Sequence, residues 1–520
     1  MLVFNERRMK KQTEKYWEAL RRNANHRGPV WRNYVEDLLP LEMEYMEAKR
    51  RLSRELCQTL VLLVGQSVEP LLQSVWAHNP EKLLLILNRQ YDEETTGEDF
   101  GHTLCELLSQ LPSDRCVSDA HIHQETVEPR PADVFRKLVE QVRDRENVVI
   151  DITGAKKSMV AGAFLYAAYA DVPVSYIDFD DAAYSTKYGK PYGYASHIRL
   201  FENPYTAFAL RDWERVRRFY RRYKFRDARL LLSGNGNGGP GTVLTSMTKY
   251  LPGSELAVNK LIAVLHCYEL WDAGDYNQAA NHANQIACFK PPAAVSLLGG
   301  KWFTVKDARF EGGLPDFYDD TSEFRAYVYD EMARIRRLIR YNRDYRSAFL
   351  RTGSLNEIVM LSRLVKMVSC DSQRSDLLKS LQHRTPNARR VFEVLLKPPG
   401  TIFQIGKDIR FGGAPNIQVT VTESMHPWWK GTDLFNGERG WDVFIKRRND
   451  LAHKYFSVPL TWAEDALRFV RLCVEDFWGP DPGTVDTEAM KWSELCRFTG
   501  LEQYLPPNLC AEEEKKEKIQ

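Results

Sequence analysis

Between residues 58 and 180 the chain alternates short apolar runs with longer stretches of helical spacing. TLVLLVG (59–65) ends at a glycine, and KLLLILN (82–88) follows Pro80. NVVIDITG (147–154) and VPVSYIDFD (172–180) repeat the pattern, and DAHIH (119–123) is a shorter, more polar run of the same kind. Helix-like stretches near 68–77, 98–111, 131–145 and 156–170 lie between them. Uninterrupted apolar strands alternating with helices predict a parallel sheet covered on both faces, because each strand must be apolar on both sides. The expectation is a Rossmann-like α/β domain over 58–205.

Around this region the pattern is helical. Residues 1–57 are polar and helix-prone, with periodic leucines from Leu38 onward, and read as a helical extension packed on the domain after it. The Gly-, Tyr- and Pro-rich segment 181–205 reads as a hairpin or linker. Residues 206–390 form a helical linker region in which YKFRDARLLL (223–232) and GDYNQAANHA (274–283) echo each other. Two copies fall short of a solenoid. GNGNGGPG (234–241) is a flexible loop and 397–416 is irregular. A last helical domain covers 391–505, and 506–520 form a frayed tail. The fold class is therefore α/β plus all-α: a Rossmann-like parallel-sheet domain followed by a helical one.

Composition narrows the functional classes. Hydrophobic residues make up 43% and charged residues 27% of 520, the balance of a globular protein of two or three domains. Net charge is only +2, so contact with nucleic acid has to be local. No stretch approaches the roughly 18 apolar residues of a membrane helix, and the N-terminus has no signal-peptide core. The nine cysteines form no CxxC pair. Reduced thiols, no membrane and a cytoplasmic location are expected, with no metal site and no cofactor.

The segment DITGAKKSMVAGAFLYAAYA (151–170) carries the first candidate chemistry. A buried strand delivers Asp151 and Thr153 to a glycine turn, and a helix starts at once. Backbone N–H groups at that helix start, flanked by Lys156 and Lys157, suit phosphate oxygens, and Gly154 permits close approach of a ligand. The GxxxxGK[ST] spacing of a P-loop is absent. Ligands of such sheets sit at the carboxyl ends of the strands, so Gly65, Gln66 and Ser67 are expected to face the same crevice, with Asn88 ending the next strand. DITGAKKSM resembles the D-x-T-G-x-x-K-x-M signature of CRISPR-associated Rossmann-fold (CARF) domains, and LLVGQSVEPLLQSVWAHNPEKLLLI resembles their first strand–helix–strand unit. Thr153, Gly154, Lys157 and Met159 fall on family positions, whereas Ala155 and Lys156 depart from the commoner residues. The resemblance covers about 58–200 and implies a homodimer whose paired crevices bind a cyclic oligoadenylate as allosteric activator.

KRRNDLAHKYF (446–456) carries the second, with Arg448, Asn449 and His453 in an R-N-x-x-x-H pattern. Cleaving RNA through its own 2′-hydroxyl needs groups that exchange protons near neutral pH and a fixed positive charge on the crowded phosphate, which His and Arg supply. Five residues along a helix is about 140° of rotation, so the pair does not share a face in one regular helix. A helix start, or two copies meeting across a symmetric dimer, suits it better. Alone, the motif reads better as a solvated helix face. A second R-x4-H, Arg21 to His26, runs into Gly28 and Pro29 and reads as surface. RNDLAH is similar to the R-x(4–6)-H motif of HEPN ribonucleases, and the order sensor, helical linker, HEPN matches ancillary nucleases of type III CRISPR systems. That resemblance implies that Arg448 and His453 are catalytic, that Asn449 supports them, and that single-stranded RNA is cut without metal to a 2′,3′-cyclic phosphate.

Three other features carry bland readings. The basic, aromatic segment 211–229 is a candidate RNA guide or, more simply, a helix burying Trp213, Phe219 and Tyr220. His121 and His123 lack partners for a metal site, and the aromatic cluster 426–441 reads as core or interface. Two other functions remain open: a non-catalytic nucleotide-sensing regulator whose helical domain binds partners, and a Rossmann-type enzyme acting on a mononucleotide.

Overall fold

Six runs able to pair in one sheet dictate the first half of the molecule. The computed structural model describes residues 6–23, 27–52, 57–89, 100–112, 114–115, 117–142, 147–201, 203–234, 242–300, 304–306, 309–311, 318–383, 386–410, 413, 415–425, 440–453, 457–480 and 487–512. It divides into two compact units, 1–211 and 212–520.

In the first unit, strands β1 (Thr59–Val64), β2 (Lys82–Asn88), β3 (Ile122–Val127), β4 (Val148–Asp151), β5 (Val174–Phe179) and β8 (Ser196–Phe201) form a sheet in the order β3-β2-β1-β4-β5-β8. The first five are parallel, and β8 pairs antiparallel to β5 from Val174–Phe201 to Phe179–Ser196. This is the strand order of a doubly wound nucleotide-binding sheet, with its switch point between β1 and β4. Period-two alternation sends Leu60, Leu62 and Val64 to one face and Val61 and Leu63 to the other, and both faces are buried. Helices α6 (Pro131–Gln141) and α7 (Lys157–Ala170) cover one face. The other is covered by α4 (Val68–His78), α5 (Phe100–Ser109) and the N-terminal helices α1 (Glu6–Arg22), α2 (Gly28–Asn33) and α3 (Leu39–Ala48). Trp17, Trp31, Tyr34, Leu39 and Met43 of the N-terminal segment enter that core.

Two local expectations change. The 119–123 run is a single 3₁₀ turn at Asp119–His121, and the strand proper starts at Ile122 and is mostly polar, as an edge strand tolerates. The 181–205 segment does form a hairpin, between β6 (Tyr184–Ser185) and β7 (Lys190–Pro191), but it also contributes β8 to the main sheet.

The second unit is mainly helical. A run of helices leads from α8 (Leu210–Arg221) through α9 (Phe225–Ser233), α10 (Thr242–Tyr250), α11 (Ser254–Ala273), α12 (Tyr276–Ala283) and α13 (Ala293–Leu298) to the long α14 (Ser322–Arg337) and α15 (Tyr345–Lys366). The basic segment at its start is an amphipathic helix that buries Trp213, Val216 and Tyr220. A buried network ties α11 to α14: Trp271 Nε1 and Tyr276 Oη donate to Asp330 at 2.9 and 2.7 Å, and Arg334 donates to Glu331 and to the Trp271 carbonyl at 2.7 Å each. Each buried charge here faces an opposite charge or a hydrogen-bonding group, which is the condition for retaining it. Beyond α16 (Asp371–His383) and α17 (Ala388–Leu395), the stretch expected to be irregular holds an antiparallel hairpin, β11 (Ile402–Ile405) with β12 (Ile417–Thr420); a smaller one pairs β9 (Thr304–Lys306) with β10 (Arg309–Glu311). Last come α18 (Gly440–His453), α19 (Leu460–Trp478) and α20 (Trp492–Thr499). Among the described residues no helix is long and apolar enough to cross a membrane.

Candidate functional site

The sheet's switch point brings the β1 and β4 turns together. Asp151, wholly buried at the end of β4, accepts from Ser74 Oγ and from the Thr153 backbone N–H, each at 3.0 Å. Burial raises its pKa while these donors hold it down. Thr153 Oγ1 accepts from the Ile177 N–H at 2.9 Å, so that hydroxyl stitches β4 to β5. The glycines do something the sequence does not reveal. A Cβ on Gly65 would lie 1.3 Å from the Gly154 carbonyl oxygen, and one on Gly154 would lie 2.7 Å from the Leu63 carbonyl oxygen. They let two backbones approach each other.

Beyond this contact the expected residues separate. Gln66, Ser67, Lys156 and Lys157 are exposed, the two lysines at the start of α7. Thr153 and Gly154 are half-buried. Asn88 and Met159 are buried, the latter in the core between the sheet and its helices.

A cavity of about 240 Å³ opens beside the turn; of its lining, Ser67 and Thr153 were expected from the sequence and the rest was not. Thr153, Ser67 and Gln73 supply one side, Tyr176 and Phe179 another, and the N-terminal helices close it with Tyr16, Trp17, Tyr34 and Glu42. A second cavity of about 300 Å³ shares Trp17, Glu69 and Lys190 and reaches Gln66, Arg21 and Arg27. Glu42 is buried and accepts from Tyr34 Oη at 2.7 Å and from Gln73 Nε2 at 3.0 Å. Burial pushes its pKa up to about 7, against the pull of these two donors. Glu69 accepts from Tyr16 Oη at 3.0 Å and from Lys190 Nζ at 3.1 Å. Gly193 is small because a Cβ there would meet the Glu42 carboxylate at 2.3 Å. The helical spacing of Tyr16, Trp17, Trp31 and Tyr34 marks a buried face, but nothing in it says that the face borders a cavity.

In the second unit, α18 packs Phe444 and Leu451 into the core. Arg448 lies between them along the same face. It is half-buried, pairs with the Glu357 carboxylate of α15, and its Cδ fills the space a side chain at Gly353 would take, 2.6 Å from the Cβ position. Arg346 donates to the Leu451 carbonyl at 3.0 Å and so fastens the end of α18 to α15. Asn449 is exposed. His453 is the last residue of the helix, and its side chain lies outside the described residues, as do His26 of the other R-x4-H and residues 426–439 of the aromatic cluster. Glu357 and Gly353 were not legible as partners of Arg448, since they stand about 90 residues upstream with no local signal. His123 is exposed and contacts Glu125 at 3.0 Å; no metal-binding cluster occurs among the described residues.

No sequence family matches the chain, and no curated protein does. Among solved structures, the chain is similar to Enterococcus italicus Csm6 bound to cyclic hexa-2′-fluoro-hexa-dAMP, at 13% identity and a TM-score of 0.34, over 86% of this chain and 99% of that one. It is also similar to Can2 from Sulfobacillus thermosulfidooxidans in complex with cyclic tetra-adenylate, at 13% identity and a TM-score of 0.20, over 52% of this chain and 76% of that one.

Proposed function

We propose that the protein is a cyclic-oligoadenylate-activated, metal-independent endoribonuclease acting on single-stranded RNA in type III CRISPR defence. One observation carries the reading. The D-x-T-G-x-x-K-x-M turn stands at the switch point of a doubly wound sheet, with Lys156 and Lys157 exposed at a helix start beside the β1 turn. The cavity beside that turn is walled by Tyr16, Trp17, Tyr34, Tyr176 and Phe179, which suits flat bases, and the exposed helix start with its two lysines suits phosphates.

The nuclease step is assigned to the second unit. The substrate's 2′-hydroxyl loses its proton and its oxygen attacks the adjacent phosphorus. The P–O5′ bond breaks, the 5′-oxygen takes a proton, and the products are a 2′,3′-cyclic phosphate and a 5′-hydroxyl. His453 moves the proton, Arg448 neutralises the charge gathered on the phosphate, and Asn449 offers a hydrogen bond at the rim. Glu357 and Gly353 hold the Arg448 side chain where it is. Two protomers joined as a homodimer would let an Arg448 and a His453 that do not share a helix face meet across the axis.

The test compares cleavage of a single-stranded RNA in EDTA, with and without cyclic oligoadenylates of several ring sizes, for the parent chain, Arg448→Ala and His453→Ala. Each substitution is expected to lower kcat by roughly 10²–10⁴-fold, the usual contribution of one proton-transfer or charge-stabilising group. Undiminished cleavage by His453→Ala would overturn the assignment. Tight binding of the cyclic ligand with no cleavage under any condition would leave a sensing regulator instead.

A further inference from the structure

A cavity of about 960 Å³ in the second unit has no part of Arg448 in its lining. It is a trough between α14, with the π-turn Leu338–Asn342 that prolongs it, and α19. Its rim carries Arg336, Arg340 and Arg343 from the first wall and Arg468 and Arg471 from the second, all exposed. Its floor is apolar: Tyr329, Met332, Ile339 and Val474 are buried there, and Tyr345 beside them is half-buried. Only Glu464 and Glu475 oppose the arginines in the lining. Glu475 accepts from Arg471 Nε at 2.8 Å, which fixes that guanidinium along the wall. Arg343 ends the π-turn in the left-handed region, at φ 53°, where an arginine is held at some cost.

We infer that this trough is the track that holds the single-stranded RNA substrate, a proposal that rests on the nuclease reading above. An apolar floor with Tyr345 half-buried beside it, between two rows of guanidiniums, fits a polymer with an anionic backbone and flat, stackable bases. A bare phosphate would leave the floor unused. A second copy of this chain fits worse, because a two-fold interface centred here would set five arginines against the same five. The trough also borders the end of α18. Tyr345 in its lining is followed by Arg346, which binds the Leu451 carbonyl, and Leu460 in its lining opens the helix that comes after the His453 segment. RNA lying in it would reach the cleavage motif without leaving the surface of this unit.

The test uses the full-length chain and a fluorescein-labelled, unstructured single-stranded RNA, measuring affinity by anisotropy across a salt series in EDTA. Replacing three rim residues together (Arg336→Ser, Arg343→Ser, Arg471→Ser) should weaken binding at least about tenfold. The slope of log K against log salt should fall by about 2, at roughly 0.7 per lost phosphate contact on a single strand. Arg389→Ser with Arg390→Ser, equally exposed arginines on α17, should change neither, and Arg343→Ser alone serves if the triple variant melts early. Unchanged affinity and slope in the triple variant would overturn the proposal, as would failure of the parent chain to bind the RNA. A loss of affinity that sedimentation traces to a changed oligomeric state would overturn it too and assign the trough to a second copy. The two readings fail separately. If His453→Ala still cuts RNA while the triple variant no longer binds it, the catalytic assignment falls and the track stands. If the triple variant binds normally while His453→Ala is inactive, the track falls and the catalytic assignment stands.

Discussion

Single side chains set two of the measurable properties of this protein. Glu42 is a carboxyl kept out of water, with a pKa near 7 in the folded chain against 4.5 when exposed. The folded state therefore binds its proton more tightly than the unfolded state. The corresponding stability is fully present below about pH 4.5 and is lost as pH rises to about 7, on the order of 3 kcal/mol over that window. Glu42→Gln keeps an acceptor for Tyr34 and removes the charge. Its melting temperature is expected to exceed that of the parent at pH 8 and to vary less between pH 4.5 and 7, which parallel thermal melts would read. Gly353 governs the other property. A methyl there meets a flexible arginine side chain rather than backbone, so Gly353→Ala should leave the melting temperature nearly unchanged. It should nevertheless lower kcat roughly tenfold or more, because a displacement of about 1 Å at a catalytic group is costly. A Gly353→Ala enzyme with full kcat would show that the seat of Arg448 is irrelevant to cleavage.

Secondary-structure elements differ in how plainly the chain announces them. β1, β2 and β4 are nearly unbroken apolar runs because both faces of the sheet are covered there, whereas β5, VSYIDF, admits Ser175 and Asp178. β3, at the sheet edge, reads IHQETV and hides its strand among polar residues; β8 hides behind the Gly and Tyr of the hairpin before it. β11 and β12 are masked by flanking Gly and Pro. The Arg–His motif was visible as a spacing, but the glycine and glutamate that hold the arginine come from a distant helix. Least legible was the role of α1 to α3. Helical spacing shows that Trp17 is buried, whereas only tertiary structure shows it against Tyr188 and Tyr192, with ring centroids 5.0 and 4.9 Å away, lining both cavities of the first unit. Trp17→Ala is expected to destabilise the protein by about 3–5 kcal/mol, the usual cost of emptying a buried tryptophan site. It should also weaken cyclic oligoadenylate binding in calorimetric titration. Normal affinity in a folded Trp17→Ala chain would remove the N-terminal helices from the site.

At the scale of the whole molecule, the chain folds as two units around separate cores. On the proposed function, a ligand at the β1–β4 crevice can govern cleavage only if it binds one arrangement of the protein better than another, and the size of that difference limits the activation it can cause. The first unit also joins its beginning to its end. Leu52 bridges Ile198 of the last strand, and α1 rests on the 188–192 segment. During synthesis, then, the first unit cannot close until roughly its first two hundred residues have left the ribosome. It is complete, all the same, before the stretch bearing Arg448 has been translated. If the first unit governs cleavage by the second, as proposed, the order of synthesis completes the restraint before the blade.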